Sequence, residues 1–379
     1  VHATHTQTYP GPKTPEALQA FAAELDQIKA DTMAKVGSED ARYIIRLLWV
    51  IRAMESTGRV LLMTSPWFPT WWLGACMLGL SKCLQNMEFG HNVMHGQYEW
   101  MNDPRFDGKT HEWDLAGNKE DWRHTHNYMH HHYTNVLEKD RDFGYGMLRL
   151  SADVPWEIRF LWQAPYALVV MVLFEWAIAI HNMEVERMRD DREAIQARIK
   201  ALWPGIRAKM WMQIKKDYIL WPLIGGLVSL ALGAGLVKGF VAVMLGNALA
   251  NVIRNVWSFV VIFCGHFTDG AHTFDPIAVE HETKGHWYLR QILGSSNLTG
   301  GKLFHILSGN LSHQIEHHLF PDMPGRRYAE AAVRVREVCV KYGLPYNTGP
   351  MPKQMWTVAR RIVRHSLPGG EHTLTVFQH

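Results

Sequence analysis

Four apolar runs, near residues 69–89, 160–181, 218–236 and 239–263, constrain this chain of 379 residues more than any other feature. Each approaches the roughly 20 residues that a helix needs to cross a ~30 Å hydrocarbon layer. Inside lipid the backbone has no water to bond, so such a run must satisfy its N–H and C=O groups within itself, as a helix does. Over the whole chain the mean hydropathy is only −0.16, so a large part lies outside lipid. The prediction is an all-α integral membrane protein in which a few transmembrane helices carry a helical cap. Cations say which side the cap is on. Arg187, Arg189, Arg192, Arg198, Lys200, Arg207, Lys209, Lys215 and Lys216 crowd one stretch, and a second basic stretch covers 326–364. Positive flanks of membrane helices stay cytoplasmic, which assigns both stretches, and the cap, to the cytosol.

Composition excludes several other classes. A formal net charge of +3 is too small to argue for nucleic acid, and no nucleic-acid motif is present. Cys76, Cys83, Cys264 and Cys339 form no CxxC pair, so neither a disulfide framework nor a thiolate metal site is indicated. The polar, Pro-rich start has no apolar core of the kind a secretory signal needs.

Three regions are expected: 1–66 as N-terminal cytosolic amphipathic helices, 67–325 as the membrane core, and 326–379 as a basic helical region. Residues 1–13 read as disordered. Thr14 as cap and Pro15 at the first helical position open a helix to about Val36. A second helix, from about Glu39 to Ser56, is too charged to span and reads as amphipathic, on the membrane surface or the soluble part. Pro66-Trp67-Phe68-Pro69 opens the first membrane segment, with Trp67, Trp71 and Trp72 as an interfacial belt. The run at 160–181 raises a question of parity. If it spanned together with 218–236 and 239–263, three crossings would put the histidines before and after them on opposite faces. Glu175 and the basic stretch that follows favour an embedded or interfacial segment instead.

Histidines cluster at the ends of these runs. Five of them (His124, His126, His130, His131 and His132) fall within residues 124–132, after an earlier pair at His91 and His95 and before a later group at His313, His317 and His318. A single histidine, His266, follows the last apolar run. On an α-helix, residues four apart share a face at about 5–6 Å between Cβ atoms. Neutral imidazole suits iron, zinc, copper and nickel. A structural zinc site takes four ligands; the supply here is about twice that, which fits two metals. There is no His-Glu-x-x-His peptidase motif, and the arrangement of the soluble di-iron bundles, with Glu-x-x-His repeated on two helices, is not evident. His124 and His132 read as groups behind the ligands or on the surface; His111, His272, His281, His286 and His305 read as ordinary histidines.

His91-x-x-x-His95, His126-x-x-x-His130-His131 and Gln314-x-x-His317-His318 together resemble the three histidine boxes of the membrane fatty-acid desaturase family. The similarity runs from about residue 15 to 365 and includes Gly90-His91-Asn92-Val93-Met94-His95-Gly96-Gln97, Tyr133-Thr134-Asn135 and Gln314-Ile315-Glu316-His317-His318-Leu319-Phe320-Pro321. The phrases Ile253-Arg254-Asn255-Val256-Trp257, Trp287-Tyr288-Leu289-Arg290-Gln291 and Tyr342-Gly343-Leu344-Pro345-Tyr346 resemble its actinobacterial stearoyl-CoA Δ9 branch. The resemblance implies a di-iron centre that uses O2 and two electrons to set a cis double bond, at Δ9, in a long-chain saturated acyl-CoA. Unactivated C–H bonds offer no acidic proton, so the metal must carry the chemistry. It also implies a multi-pass protein of the bacterial cytoplasmic (inner) membrane, within the lipid bilayer and with its active site facing the cytoplasm.

The ligands implied are His91, His95, His126, His130, His131, His266, His317 and His318. His313 and Gln314 both stand as the opening member of the third box, four residues before His317 and His318 respectively. Metal-bound histidines usually donate their other N–H to a carboxylate or carbonyl; Glu88, Glu316, Asp140 and Asp142 are candidates, with plain structural charges as the alternative. Trp100, Trp113, Trp122 and Trp257 are candidates for the walls of an alkyl slot, with ordinary packing as the alternative. CoA phosphates would need cations; Arg149, Arg159, Arg290 and the 187–216 stretch are candidates, with a solvated charged face as the alternative.

No dinucleotide fingerprint or iron–sulfur cysteine motif is present, and Leu367-Pro368-Gly369-Gly370 lacks the histidine of a haem-binding His-Pro-Gly-Gly. Electrons are therefore expected from a separate protein, which the resemblance implies is a flavin and iron–sulfur oxidoreductase that draws on NADPH. Two other readings exist. An alkane or lipid hydroxylase with histidine boxes shares the chemistry and differs in product. A metal transporter would put its ligands at mid-membrane, whereas here they flank the apolar runs.

Overall fold

Thr14 turns the incoming chain into the first helix. Its Oγ1 accepts from the Ala17 N–H at 3.2 Å, and Pro15 takes a position whose N–H would have had no partner. Helix α1 (Pro15–Met33) buries Leu18, Phe21, Ala22, Leu25 and Ile28, a stripe with helical period. The computed structural model describes residues 9–64, 68–185, 191–370 and 372–377. Disorder does not extend over 9–13 as expected: Tyr9 is 4% exposed, edge-on to Phe377 and His286. Pro66 and Trp67 of the aromatic belt, and Arg187 and Arg189 of the basic stretch, lie outside the described residues.

Helix α2 (Ser38–Thr64) runs past the expected end at Ser56 and packs along α3 (Phe68–Cys83) rather than lying on a surface. The crossing is close because Gly58 and Gly74 face each other. A Cβ on Gly58 would stand 2.9 Å from the Gly74 carbonyl oxygen, a small-residue contact of the kind that lets helices approach in lipid. The run at 160–181 is bent: α4 (Gln163–Val172) and α5 (Phe174–His181) belong to stretches that meet at 104°. At 1.5 Å per residue these arms are about 15 and 12 Å long, so neither crosses a ~30 Å layer alone.

Helix α6 (Arg192–Ile214) continues through a π-helical stretch, Lys215–Leu220, into α7 (Trp221–Ala231). Then comes α8 (Leu236–His266), about 46 Å long. Among the described residues it is the one unbroken helix long and apolar enough to cross a membrane. In the runs at 69–89 and 218–236 the helix type changes along the way, with π-helical stretches, Leu84–His91 and Lys215–Leu220, adjoining α3 and α7. Helices α2, α3, α7 and α8 pack together as one layer. Charges inside it are paired: Lys82 Nζ meets Asp217 Oδ2 at 2.8 Å, and Arg254 meets Glu175, as a buried charge requires.

The cap holds α9 (Lys284–Leu293), α10 (Lys302–Leu307), α11 (Gln314–Leu319) and α12 (Tyr328–Lys341). Helix α1 lies on α9 and α12 over a core that includes Phe21, Leu25, Ile292, Ile315, Phe320 and Val335. Two short parallel pairings depart from the all-α expectation: β1 (Thr273–Phe274) with β4 (Leu374–Thr375), and β2 (Asn297–Thr299) with β3 (Thr348–Pro350). The basic stretch 326–364 is two helices, α12 and α13 (Met351–Ser366), parted by Gly343 at φ 68° and by β3.

Candidate metal centre

Two of the histidine clusters lie on π-helical turns, Leu84–His91 at the end of α3 and Arg123–His130 after a short α-turn. A π-turn closes i to i+5 and is wider than an α-turn, so residues four and five apart share a face. His126 accordingly meets His130 (ring centroids 5.1 Å, planes 24° apart) and also His131 (5.0 Å). An α-helix would have sent His131 one step round. The third cluster sits on the six-residue α11, and His266 is the last residue of α8.

These elements bring His91, His95, His126, His130, His131, His266, His317 and His318 into one largely buried cluster. His91 Nε2 and His126 Nε2 are 3.4 Å apart, His130 Nε2 and His266 Nε2 3.3 Å, and His266 Nε2 and His318 Nε2 3.1 Å. Two nitrogens each about 2.1 Å from one metal ion would stand roughly 3 Å apart. Hydrogen bonds among the rings do not account for this crowding. His266 Nε2 has two imidazole nitrogens and the Gln314 amide within 3.3 Å, yet a ring nitrogen carries at most one proton. His95 Nε2, both ring nitrogens of His131 and His317 Nε2 are buried with no partner. Buried polar atoms are seldom left so; the donor set fits a cation in their midst.

The outward nitrogens are tethered. His126 Nδ1 lies 2.9 Å from Asp142 and His130 Nδ1 3.0 Å from both oxygens of Asp140. His317 Nδ1 meets Tyr328 Oη at 3.1 Å, and His318 Nδ1 meets Gln291 Oε1 and Thr134 Oγ1, each at 3.1 Å. Such partners fix which nitrogen faces a metal. Sequence reasoning missed Tyr328, Gln291 and Thr134 because it searched for carboxylates. Thr134 and Gln291 nonetheless lie inside phrases already singled out, Tyr133-Thr134-Asn135 and Trp287-Tyr288-Leu289-Arg290-Gln291.

Burial, reinforced by the neighbouring rings, holds His131, His317 and His318 well below the ordinary imidazole value. Burial also lowers His126, against the pull of Asp142. His130 goes the other way: burial opposes its charge, but the charge and hydrogen bond of Asp140 outweigh it. Burial would raise Asp142, yet the hydrogen bond from His126 and the charges of His130 and His126 hold it below the ordinary carboxylate value. Neutral imidazoles backed by carboxylates are the form that binds metals.

Several expected site residues lie elsewhere. His313 is outside the cluster, stacked on His305 at 4.6 Å, because it precedes α11 in a tight turn entered through Asn310 at φ 54°. Gln314, the first residue of α11, faces in, and rotating its amide would turn the unpartnered Oε1 toward the cluster. Glu88 touches no histidine; it takes hydrogen bonds from Asn310 (2.9 Å) and Tyr43 (2.5 Å). Glu316 is bonded by Asn297 and Tyr346 at 2.8 Å and stays 3.9 Å from His313. Both carboxylates are structural ties between boxes and neighbouring segments. Arg290 is buried against Glu282 and the His132 carbonyl, and Arg149 is spent on backbone carbonyls, so neither is free to meet a phosphate.

Trp113 and Trp122 border a narrow cavity of about 80 Å³ that opens from the cluster. Trp122 stacks on His126 at 4.6 Å. One wall follows a face of α8 through Arg254, Ser258, Ile262 and His266, a length of about 18 Å. Phe174 and Ile178 of α5 form the opposite side, and the Arg254–Glu175 pair stands at the far end. Trp100 and Trp257 take no part. Trp100 is half-exposed with Nε1 on the Gln97 carbonyl, and Trp257 borders a separate groove on the other side of α8.

A sequence profile of fatty acid desaturases matches residues 66–350, which include every histidine of the cluster. The NADPH-dependent stearoyl-CoA 9-desaturase of Mycobacterium tuberculosis is 46% identical over 354 residues, 93% of this chain and 80% of that protein. The sn-1 linoleoyl-lipid 6-desaturase of Synechocystis sp. is 24% identical over 325 residues, 81% of this chain and 82% of its own. Fatty acid desaturase 3 of Homo sapiens is 26% identical over 380 residues, covering 97% and 76%. With the profile spanning all three boxes and a relative at 46% identity covering nearly the whole chain, the protein belongs to the fatty acid desaturase family.

Proposed function

We propose that this chain is an oxygen-dependent acyl-CoA desaturase that holds two iron ions and sets a cis double bond, at Δ9, in a long-chain saturated acyl-CoA. One observation carries the reading. Eight imidazoles converge at the head of a narrow apolar slot in a member of the desaturase family, several with Nδ1 tethered and Nε2 turned inward. The stearoyl-CoA substrate, the bond position and the NADPH-dependent electron supply are supported by the name of the 46%-identical relative. A separate flavin and iron–sulfur oxidoreductase delivers the electrons.

His91, His95, His126 and His317 would hold one ion, and His130, His266 and His318 the other, with His131 between the groups and Gln314 beside His266. Bound there, the irons would supply the oxygen chemistry that an unactivated C–H bond demands and acid–base side chains cannot. The chain's own residues position and shield. Asp142 and Asp140 fix the tautomers of His126 and His130. Trp122 covers the face of His126, and Ile178, Ile262 and Phe174 align the alkyl chain and exclude water along the slot. The length and hydropathy of α8 and the cationic 192–216 stretch support a multi-pass protein of the bacterial cytoplasmic membrane with the centre on the cytoplasmic side.

The test counts iron per purified chain, then supplies saturated acyl-CoA, O2 and an electron donor and analyses the product. Two irons and a mono-unsaturated acyl product support the reading and locate the bond. A hydroxylated product would move the chain to a sister chemistry, and zinc in place of a redox metal would refute the oxidative reading altogether.

A further inference from the structure

Helix α13 contributes nothing to the histidine cluster, and its two faces differ in character. Gln354, Thr357, Val358 and Ile362 are buried, and the helix packs on α4 and α8. The outer face carries Lys353, Trp356, Arg360, Val363 and Arg364 in a single helical stripe, continued by Leu367. Trp356 is 69% exposed, Val363 55% and Leu367 52%. Beside it the stretch Ile158–Trp162 leaves Ile158 70% and Trp162 73% exposed, and Trp156 Nε1 ties the two segments by donating to the Ser366 carbonyl at 2.9 Å. Large apolar groups interleaved with arginine and lysine on one face are the composition of a helix lying in a lipid headgroup layer, and tryptophan concentrates at that depth.

Between the second half of α13, the turn 268–273 and residues 150–152 lies a cleft of about 640 Å³. Three arginines line it and one carboxylate, Asp269, which pairs with Arg360. Arg361 is held by neutral acceptors only: the Leu150 carbonyl at 2.6 Å, Thr273 Oγ1 at 3.2 Å, and the Thr268 and Ala271 carbonyls at 3.4 Å. Arg364 is exposed and, among the described residues, has no ion pair. Among the described residues, two guanidinium charges thus face no carboxylate of their own in this concave site. Guanidinium is the side chain best shaped to grip a phosphate.

We propose that this cleft binds the phosphate of an anionic membrane lipid, with Arg364 as the cation that meets it, the charge of Arg361 behind it, and Trp356, Val363 and Leu367 seated among the acyl chains beside it. The site rests on the membrane placement given above and needs neither metal nor acyl-CoA. Charge complementarity and the exposed apolar stripe on the same face favour a lipid over a soluble phosphate ester, which would have no use for the stripe.

The test uses the full chain in detergent and native mass spectrometry with added phosphatidylglycerol, phosphatidylcholine of the same acyl chains, or CoA. Phosphatidylglycerol should be retained in preference to phosphatidylcholine. Arg364→Gln, which removes an exposed and unpaired group, should weaken that preference about fivefold, the contribution of one cation at a lipid surface, and leave phosphatidylcholine unchanged. Equal retention of the two lipids, or an Arg364→Gln chain that binds as the parent does, overturns the site. Displacement of phosphatidylglycerol by equimolar CoA also overturns it, since the phosphate would then belong to a thioester. A chain that stays monodisperse without detergent would instead refute the membrane placement itself.

Discussion

Asp142 offers a sharp test of how the centre is held. It accepts from His126 Nδ1 at 2.9 Å and, among the described residues, is the one carboxylate bonded to that ring, so Asp142→Ala leaves His126 without the partner that fixes its tautomer. Removing such a partner lowers metal affinity 10- to 100-fold, about 1.4–2.7 kcal/mol. The structure argues for the lower end. His126 is clamped between Trp122, stacked at 4.6 Å and 25°, and His130, stacked at 5.1 Å and 24°. Its plane is therefore kept even when its tautomer is not. Asp142→Asn retains an acceptor oxygen at nearly the same place and should lose less than Asp142→Ala. Iron per chain, measured after equilibration against graded chelator, should fall first by one ion, in the order parent, Asn, Ala. If the alanine variant holds both irons at every chelator concentration, or if Asn and Ala are indistinguishable, the tethering argument is wrong.

Gln314→Ala should lose iron in the same chelator series while His313→Ala keeps it, since Gln314 lies 2.9 Å from His266 and His313 stacks outside the cluster; the opposite order would reassign the third box. Ser258→Phe puts a ring into the slot about 12 Å along α8 from His266. It should shift preference from stearoyl-CoA toward shorter acyl-CoAs in a competition assay with iron content unchanged, and an unaltered preference would remove this cavity as the alkyl slot. Asp40 is buried and ties α2 to Arg327, which donates to it at 2.8 and 2.9 Å, and to Arg326 at 3.3 Å. Burial would raise its carboxyl, but these charges and the Gly37 N–H hold it lowered. Its contribution is therefore complete above the unfolded value of about 3.9 and is lost as pH falls through the lower folded value. Asp40→Asn should lower the melting temperature at pH 7 and cost up to about 3 kcal/mol of stability, and the gap should narrow as pH falls below the unfolded value; a gap independent of pH would refute the assignment.

Much of this molecule is legible in its residues. The cap and Pro at Thr14-Pro15 mark a helix start that needs only local chemistry. The histidine set was legible because imidazole is scarce enough that three spaced clusters stand out. The bend in 160–181 was foreshadowed by Glu175, whose charge inside an apolar run requires a partner, and the structure supplies Arg254. Other features left no mark. Strands of two or three residues, such as Thr273–Phe274, are too short to show alternation and exist because the cap brings Leu374–Thr375 alongside. Helix α2 hid its packing face because Gly58, the residue that permits close approach to α3, has no side chain to contribute to a hydropathy pattern.

The π-turns are the instructive failure. Four-residue spacing reads as an α-helical face, which sets His126 beside His130 and His131 one step round, within reach of a second metal. The wider turn instead leaves His131 between His95, His317 and His318, with ring centroids at 4.7, 4.7 and 4.3 Å. Nothing in local propensity favours a π-turn, and such turns concentrate at functional sites. Its stabilisation must come from elsewhere: Asp140 and Asp142 behind the rings, Asn127 Nδ2 on the Met94 carbonyl at 2.9 Å, and Thr134 Oγ1 on the His130 carbonyl at 2.8 Å. A sequence reveals which ligands it owns more readily than how they are shared, because sharing depends on a backbone distortion that only the surrounding tertiary contacts sustain.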